Sequence, residues 1–426
     1  MRSVADHQAV VSGLFRAPER AEVPVTDALG LVLAADIDAP IALPGFDNSA
    51  MDGYAVCAAD VAAASATTPI RLPVAADIPA GRTDELTLDP GTAHRIMTGA
   101  PIPAGADAVI PVEAITTDDP LAHIEVTAPV AEGRHIRRAG SDIAVGERAL
   151  TAGTSVGAPQ IGLLAALGLD RVPVFRRLRV IVLSTGSELV SAGNPLRHGQ
   201  IYESNGEMLT AAALEAGASA RHEHFVPDDA AQFLARLDAV ADDADLIITS
   251  GGVSAGAFEV VKDALSGPGS PDSPAVEFVK VAMQPGMPQG CGHITSPTGR
   301  AVPIVTLPGN PVSSLVSFEV FIRPPLRRAM GMPGDRRRVR ARLTADVRSP
   351  DGKRQFLRGV LHTGTADTTG SDAAGGPALA DEPQVEPIGP PASHHLRYLA
   401  SANALIDIPA DTTTVAAGET VAVTVL

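Results

Sequence analysis

The sequence predicts a multidomain α/β plus β protein: a central, mostly parallel α/β sheet domain, a β-rich inserted domain and a C-terminal β-barrel-like domain. Three observations predict it. From 177 to 328, apolar strand-like runs alternate with helical segments, the pattern of parallel strands joined by crossover helices. From 46 to 139, short β-like runs alternate with Pro- and Gly-rich turns. From 340 to 426 the pattern is β-like again, and the segments 1–45 and 140–176 remain as an N-terminal linker domain.

In chain order, Val4 to Arg16 reads as an amphipathic helix, with Val4, Val11, Leu14 and Phe15 near one stripe. Val23 to Gly30 reads as extended, ending in a turn. Ile70 to Val74, Ala108 to Val112 and His123 to Val126 are the β-like runs of the inserted module. Ser155 to Leu169 has helical spacing and is expected to return and pack with the first helix, which makes the β-rich module an insertion. In the α/β part, Val180 to Leu183, Leu246 to Thr249 and Val302 to Val305 are buried-type strands. Glu207 to Ala216, Ala231 to Val240 and Val312 to Phe321 are helical. Arg336-Arg337-Arg338 reads as a basic linker, and the polar stretch from Thr363 to Glu382 as a solvated loop.

A chain of 426 residues is expected to hold about two to four domains. Hydrophobic content of 45% with 19% charged residues is that of globular material rather than a disordered chain. No run of about eighteen apolar residues occurs, so a membrane span is not expected. The first residues carry an acid, Asp6, and no long apolar core, which argues against a secretory signal. Two distant cysteines, Cys57 and Cys291, form no disulfide framework or zinc spacing, so a reducing cytoplasm is the default. The net charge of -16 disfavours nucleic acid and requires that any anionic substrate be held by local positive charge, backbone amides or a metal. Lysine occurs only at 262, 280 and 353 in a chain rich in arginine, and an ammonium kept in such a chain hints at a specific role.

Glycine-bearing loops follow the three α/β strands. The first, Ser184-Thr185-Gly186-Ser187-Glu188, precedes Ser250-Gly251-Gly252-Val253-Ser254 and Leu307-Pro308-Gly309-Asn310-Pro311. Ligands of open parallel sheets bind outside the carboxyl ends of the strands, where small residues let backbone N–H groups reach phosphate oxygens. One such loop is as readily a tight turn; three in one domain point to a phosphorylated ligand. The nearby acids Glu188, Asp228, Asp229 and Glu259 make a poor phosphate site unless a divalent cation bridges, and Mg²⁺ suits few carboxylates plus phosphate oxygens. Asp228 has a competing role as cap of the helix beginning near Ala230, with Asp229 in its first turn. In the inserted module, Asp52 precedes Gly53, Thr98 precedes Gly99, and Asp142 lies in Gly140-Ser141-Asp142-Ile143. Taken singly, each also reads as turn chemistry.

The strings Phe46 to Val56, Met97 to Pro101, Gly140 to Ile143, Ser184 to Leu189, Ser250 to Ser254, Leu307 to Ser313 and Ser401 to Leu405 occur in one order over essentially the whole chain. That order resembles the molybdopterin molybdenumtransferase family, which includes the E domain of gephyrin. The resemblance implies an elongated homodimer whose N-terminal segments form the dimer domain. It implies an α/β pterin- and nucleotide-binding domain whose cleft is closed by the partner's inserted module. The substrates it implies are adenylylated molybdopterin and molybdate, with Mg²⁺ required and AMP released. By position, Asp52, Thr98 and Asp142 line the cleft from the inserted module, and Glu188, Asp228 and Glu259 support Mg²⁺ and the hydrolytic water. Ser184, Thr185, Gly186, Ser250, Gly251, Gly252, Ser254, Lys262, Pro308, Gly309, Asn310 and Pro311 bind the substrate, with Lys262 on phosphate. Gln284, Arg358 and Ser393 face the oxyanion.

The sequence departs from that family in one turn. The family has a Lys-Pro-Gly-Lys-Pro turn whose lysines hold molybdate; here it is Gln284-Pro285-Gly286-Met287-Pro288. Gln284 donates hydrogen bonds without charge, and Met287 brings no useful donor. Three explanations compete: weaker molybdate binding through Arg358, Ser393 and backbone amides; specialisation for another metal, oxyanion or pterin; or binding without catalysis. The first is favoured because the other acids and loops survive. Ala257 and Glu259 are smaller departures, at positions where an acid and an Asp are usual. Two further functions stay open: adenylyl transfer from ATP to molybdopterin, and a non-catalytic dimeric scaffold.

Overall fold

The computed structural model describes residues 1–226, 229–251, 260–265, 276–363 and 382–426. Its contacts divide the chain into two units: Met1–Ala21, Gly30–Val32 and Phe175–Leu426 form one, and Glu22–Leu29 with Leu33–Val174 the other.

The second unit is built on a six-stranded sheet. Its order is Ala108–Pro111, Gly53–Val56, Ala93–Ile96, Ile70–Ile78, His123–Val126 and Ile115–Thr116. Gly53–Val56 is buried on both faces because successive side chains feed different cores: Tyr54 and Val56 join Leu72, Ile110 and Ile124, whereas Ala55 joins Ile78, Ile96 and Val109. Gly53 has to be glycine, since a Cβ there would lie 2.2 Å from the Ile110 carbonyl oxygen. The helix Ala158–Ala166 packs within this unit, where Leu163 and Leu167 meet Ala39 and Ile143.

The first helix, Val4–Ser12, is shorter than the expected Val4–Arg16 and stops at Gly13. Val4 and Val11 join Phe318, Phe321 and Val281 in a core of the first unit. His7 is fully buried here, edge-on to Phe321 at 4.7 Å, with neither ring nitrogen bonded among the described residues. Burial, with Arg2 nearby, pushes its pKa down to about 4. The unfolded chain therefore binds a proton at this site that the folded chain refuses, so stability falls as pH drops below about 6.5 and levels off below about 4. His7→Phe is expected to remove most of this loss, about 3 kcal/mol at full extent, when urea unfolding at about pH 7 and about pH 4.5 is compared.

The α/β part has strands β1 (Arg179–Thr185), β2 (Ser219–Val226), β3 (Leu246–Ser250), β4 (Glu277–Lys280), β5 (Pro288–Thr295) and β6 (Ala301–Leu307). The sheet order is β2-β1-β3-β6-β5-β4. The pairings β2–β1, β1–β3 and β3–β6 are parallel, and β6–β5 and β5–β4 antiparallel. The helices are α1 (Asn205–Glu215), α2 (Ala230–Ala241), α3 (Val260–Leu265) and α4 (Pro311–Ser317). Both sheet faces are covered: Val180 and Val182 of β1 face a core with Leu209 of α1, and Ile181 and Leu183 face Phe233 and Leu237 of α2. Asp229 caps α2, where the sequence placed it in the first turn, its carboxylate accepting from the Gln232 N–H at 2.8 Å. Beyond α4 the helix widens into a π turn at Phe318–Ile322 and continues through Arg323–Arg328.

The expected basic linker is partly structural. Arg336 holds Glu319 at 2.7 Å and Glu215 at 2.9 Å, and Arg338 already begins a strand. In the C-terminal part, Arg354–His362, Gln384–Pro387, Arg338–Leu343, Thr420–Val425 and Ala404–Ile408 pair in that order. Ala404–Ile408 also pairs with Arg354–His362, which closes the ring around Leu343, Val385, Ile406 and Val423. This is the barrel-like arrangement the sequence predicted. Met283–Gln284 adds to it as a parallel edge, opposite Arg354 and Gln355. The polar stretch expected as a loop lies almost entirely outside the described residues.

Candidate functional site

The three strand-end loops emerge side by side because the parallel ladders are in register there: Ser184 pairs with Ser250, and Ser250 with Leu307. They border a cleft of about 520 Å³ lined by Ser184, Thr185, Gly186, Glu188, Ser250, Gly251, Gly309, Asn310 and Pro311. The loops touch closely. Gly251 has φ +100°, and a Cβ there would stand 2.7 Å from the Thr185 carbonyl oxygen, so only glycine lets the β1 and β3 ends meet.

Two residues that sequence reasoning missed hold this arrangement. Asn205, at the start of α1, donates to Ser250 Oγ at 2.8 Å and to the Gly309 carbonyl at 2.6 Å, tying two loops together. Glu203 is buried; its Oε1 accepts from Ser184 Oγ at 2.9 Å and from the Gly206 N–H at 2.7 Å, capping α1. Its Oε2 has no hydrogen-bond partner among the described residues. A sequence signal existed, since Glu203-Ser204-Asn205 is a polar run directly before a predicted helix. The hydroxyls of Ser184 and Ser250 are thus engaged inside the loop framework. Glu188 is exposed, its carboxylate folded over Gly186.

A second hollow of about 430 Å³ adjoins the first, and Gly309, Asn310 and His394 line both. Gln284, Met287, Ser313, Lys353 and Ser393 line it as well. The parallel edge at Met283–Gln284 and the bond from Arg354 N to the Ala282 carbonyl at 3.0 Å bring the Gln284 turn against Lys353. Ser393 is anchored by its carbonyl, which accepts from the Val312 N–H at 3.1 Å. Arg358 does not line the hollow. It is 3% exposed, and its guanidinium donates to the carbonyls of Pro390, Ala392 and His395. Burial holds its pKa below the usual guanidinium range, and burial, His394 and Arg358 lower that of His395.

In the second unit, Asp52 and Thr98 are brought together. Asp52 Oδ1 accepts from both the N–H and the hydroxyl of Thr98, each at 2.7 Å, and these bonds hold its pKa below the usual carboxylate range. Gly53, locked against Ile110, sets the strand start that carries Asp52. Asp142 is exposed on a turn held by Gly140 N–H to the Pro44 carbonyl at 2.9 Å, and its side chain has no partner among the described residues. Lys262 is exposed on α3. Asp228, Gly252, Ser254, Ala257 and Glu259 lie outside the described residues.

Three families match in sequence order. "MoeA N-terminal region (domain I and II)" matches residues 2–168, "Probable molybdopterin binding domain" 181–328, and "MoeA C-terminal region (domain IV)" 340–426. Molybdopterin molybdenumtransferase 2 of Mycobacterium tuberculosis (strain ATCC 25618 / H37Rv) is 56% identical over 423 residues, 98% of each chain. Molybdopterin molybdenumtransferase 1 of the same strain is 36% identical, covering 100% of this chain and 99% of that one. The crystal structure of a molybdopterin biosynthesis MoeA protein from Pyrococcus horikosii is similar at a TM-score of 0.76 and 32% identity, over 99% of this chain and 98% of that one. No helix among the described residues is long and apolar enough to cross a membrane.

Proposed function

The chain belongs to the molybdopterin molybdenumtransferase family, and from that premise we propose that it inserts molybdenum from molybdate into adenylylated molybdopterin with release of AMP. One observation carries the reading: a strand-end cleft large enough for a nucleotide's phosphates adjoins a second, smaller hollow across the shared Gly309 and Asn310. The cleft takes the phosphorylated pterin nucleotide, with loop N–H groups toward its phosphates. The hollow takes the oxyanion. A metal-entry reaction needs both ligands at once, in contact. An enzyme that only transferred adenylyl groups from ATP would have no use for the second hollow.

The residues present fit Mg²⁺. Glu188 is exposed at the cleft, and Glu203 lines it as well, its buried Oε2 without a hydrogen bond among the described residues and 3.9 Å from His222 Nε2; Mg²⁺ is commonly held by one or two carboxylates together with substrate phosphates and water. When bound there, the ion would neutralise charge on the phosphoanhydride. Glu188 would hold the ion and orient the attacking water, while Asn205 and Gly251 keep the loops at contact distance. Asp228 and Glu259 would complete the acidic set. Phosphoryl cleavage asks mainly for positioning and charge neutralisation, which this arrangement supplies. Asp52, Thr98 and Asp142 would reach the cleft from the inserted module of a second copy, so the working form would be a homodimer, acting in the cytoplasm.

The test is incubation of the purified chain with adenylylated molybdopterin, Mg²⁺ and either molybdate or tungstate. AMP release that depends on the oxyanion, together with a metal-loaded pterin, is the expected result. Pyrophosphate from ATP and molybdopterin would instead establish adenylyl transfer. Binding of the adenylylated pterin without AMP would establish the scaffold reading.

A further inference from the structure

We propose that Lys353 is the cation that holds the oxyanion, in place of the charge missing from the Gln284–Met287 turn. This rests on reading the second hollow as the oxyanion half of the site. Among the described residues Lys353 is the only lysine or arginine lining that hollow, and no carboxylate lines it. The side chain is half-buried and has neither an ion pair nor a hydrogen bond among the described residues. An ammonium without a partner, in a hollow with Gln284, Asn310 and Ser393 as neutral donors, is a binding site for a small anion.

The neighbouring basic residues are occupied elsewhere. Arg354 makes a paired contact with Asp407, Nε to Oδ1 at 2.7 Å, and its guanidinium lies over the Phe356 ring at 5.4 Å. Arg358 is buried against three carbonyls. Of the basic residues between 353 and 358, Lys353 alone keeps its charge available. The strand pairing of Met283 with Arg354 explains why it can serve. That pairing lays residue 353 beside the turn, so a charge lost from the turn is regained from the facing strand. A four-carbon stem ending in three rotatable donors lets the ammonium meet a tetrahedral dianion as a compact point charge.

The experiment is isothermal titration of the full chain with sodium molybdate alone, with AMP release from adenylylated molybdopterin followed in parallel. Lys353→Gln is expected to weaken molybdate binding at least about tenfold, as loss of one charge-assisted contact does. Lys353→Arg should stay within about threefold, and thermal unfolding of both should match the parent, since no internal bond is removed. Adding Gln284→Lys to the Lys353→Gln chain should restore binding, because it returns a charge to the same hollow. Unchanged molybdate affinity in Lys353→Gln overturns the proposal, as does a loss that follows the unfolding temperature and is not rescued by Gln284→Lys. A parent chain that releases AMP while Lys353→Gln binds molybdate normally defeats only the role of Lys353. A parent that binds molybdate through Lys353 but releases no AMP leaves the site standing and defeats the transferase reading. A parent that binds no molybdate defeats both.

Discussion

Glu188→Gln is expected to lower AMP release about a hundredfold or more, while thermal unfolding and binding of the adenylylated pterin stay near those of the parent. Glu188 is exposed at the rim of the cleft, so its replacement by an amide of the same shape removes charge without opening a cavity. What is lost is the ability to hold a cation against the phosphates and to orient a water. A slower reaction with unchanged substrate affinity places the residue in the chemical step. Raising Mg²⁺ should recover part of the rate if the carboxylate acts through the ion. Normal AMP release by Glu188→Gln would remove the residue from the reaction.

Arg358→Met is expected to lower stability by about 3 kcal/mol and to abolish molybdate binding together with it. The guanidinium is buried and donates to the carbonyls of Pro390, Ala392 and His395, so its removal takes three hydrogen bonds from a part-buried segment and leaves a cavity where the side chain lay. Ser393 and His394 sit within that segment and border the hollow, so the oxyanion site loses one wall. Arg358→Lys should rescue little, because one compact ammonium cannot satisfy the spread of acceptors that a planar fork reaches. The signature of this supporting role is that affinity and unfolding temperature fall together. A variant with the parent's unfolding temperature but no molybdate binding would show instead that Arg358 touches the anion.

Much of the α/β core was legible because burial on both faces forces a continuous apolar run. Val180 to Leu183, Leu246 to Thr249 and Val302 to Val305 each lie inside an observed strand. The strand Ser219–Val226 escaped notice because Arg221, His222 and Glu223 interrupt its apolar pattern at the sheet edge. The antiparallel strand Pro288–Thr295 escaped for a related reason: Gly290 and Gly292, both buried, look like turn residues. At Gly290 a Cβ would strike Thr306 Oγ1 at 2.2 Å, so the glycine marks close packing rather than a bend. Among site residues, Asp52 and Thr98 were singled out from separate motifs, and the fold puts them in hydrogen bond. Glu203 and Asn205 passed unseen because their partners at Ser184, Ser250 and Gly309 come from distant parts of the chain.

By itself the sequence determined where the chain would turn, which runs would be buried and which loops could admit phosphate, because those depend on local residue types and their spacing. It also determined that the Gln284 turn brings no charge. Only the tertiary structure decided which basic side chains remain available to an anion. Arg358, Arg354 and Lys353 are similar in sequence, but three carbonyls claim the first and Asp407 the second, leaving the third beside the turn. That choice depends on strand pairing between residues about seventy positions apart, and a charge's availability is set by its neighbours in space.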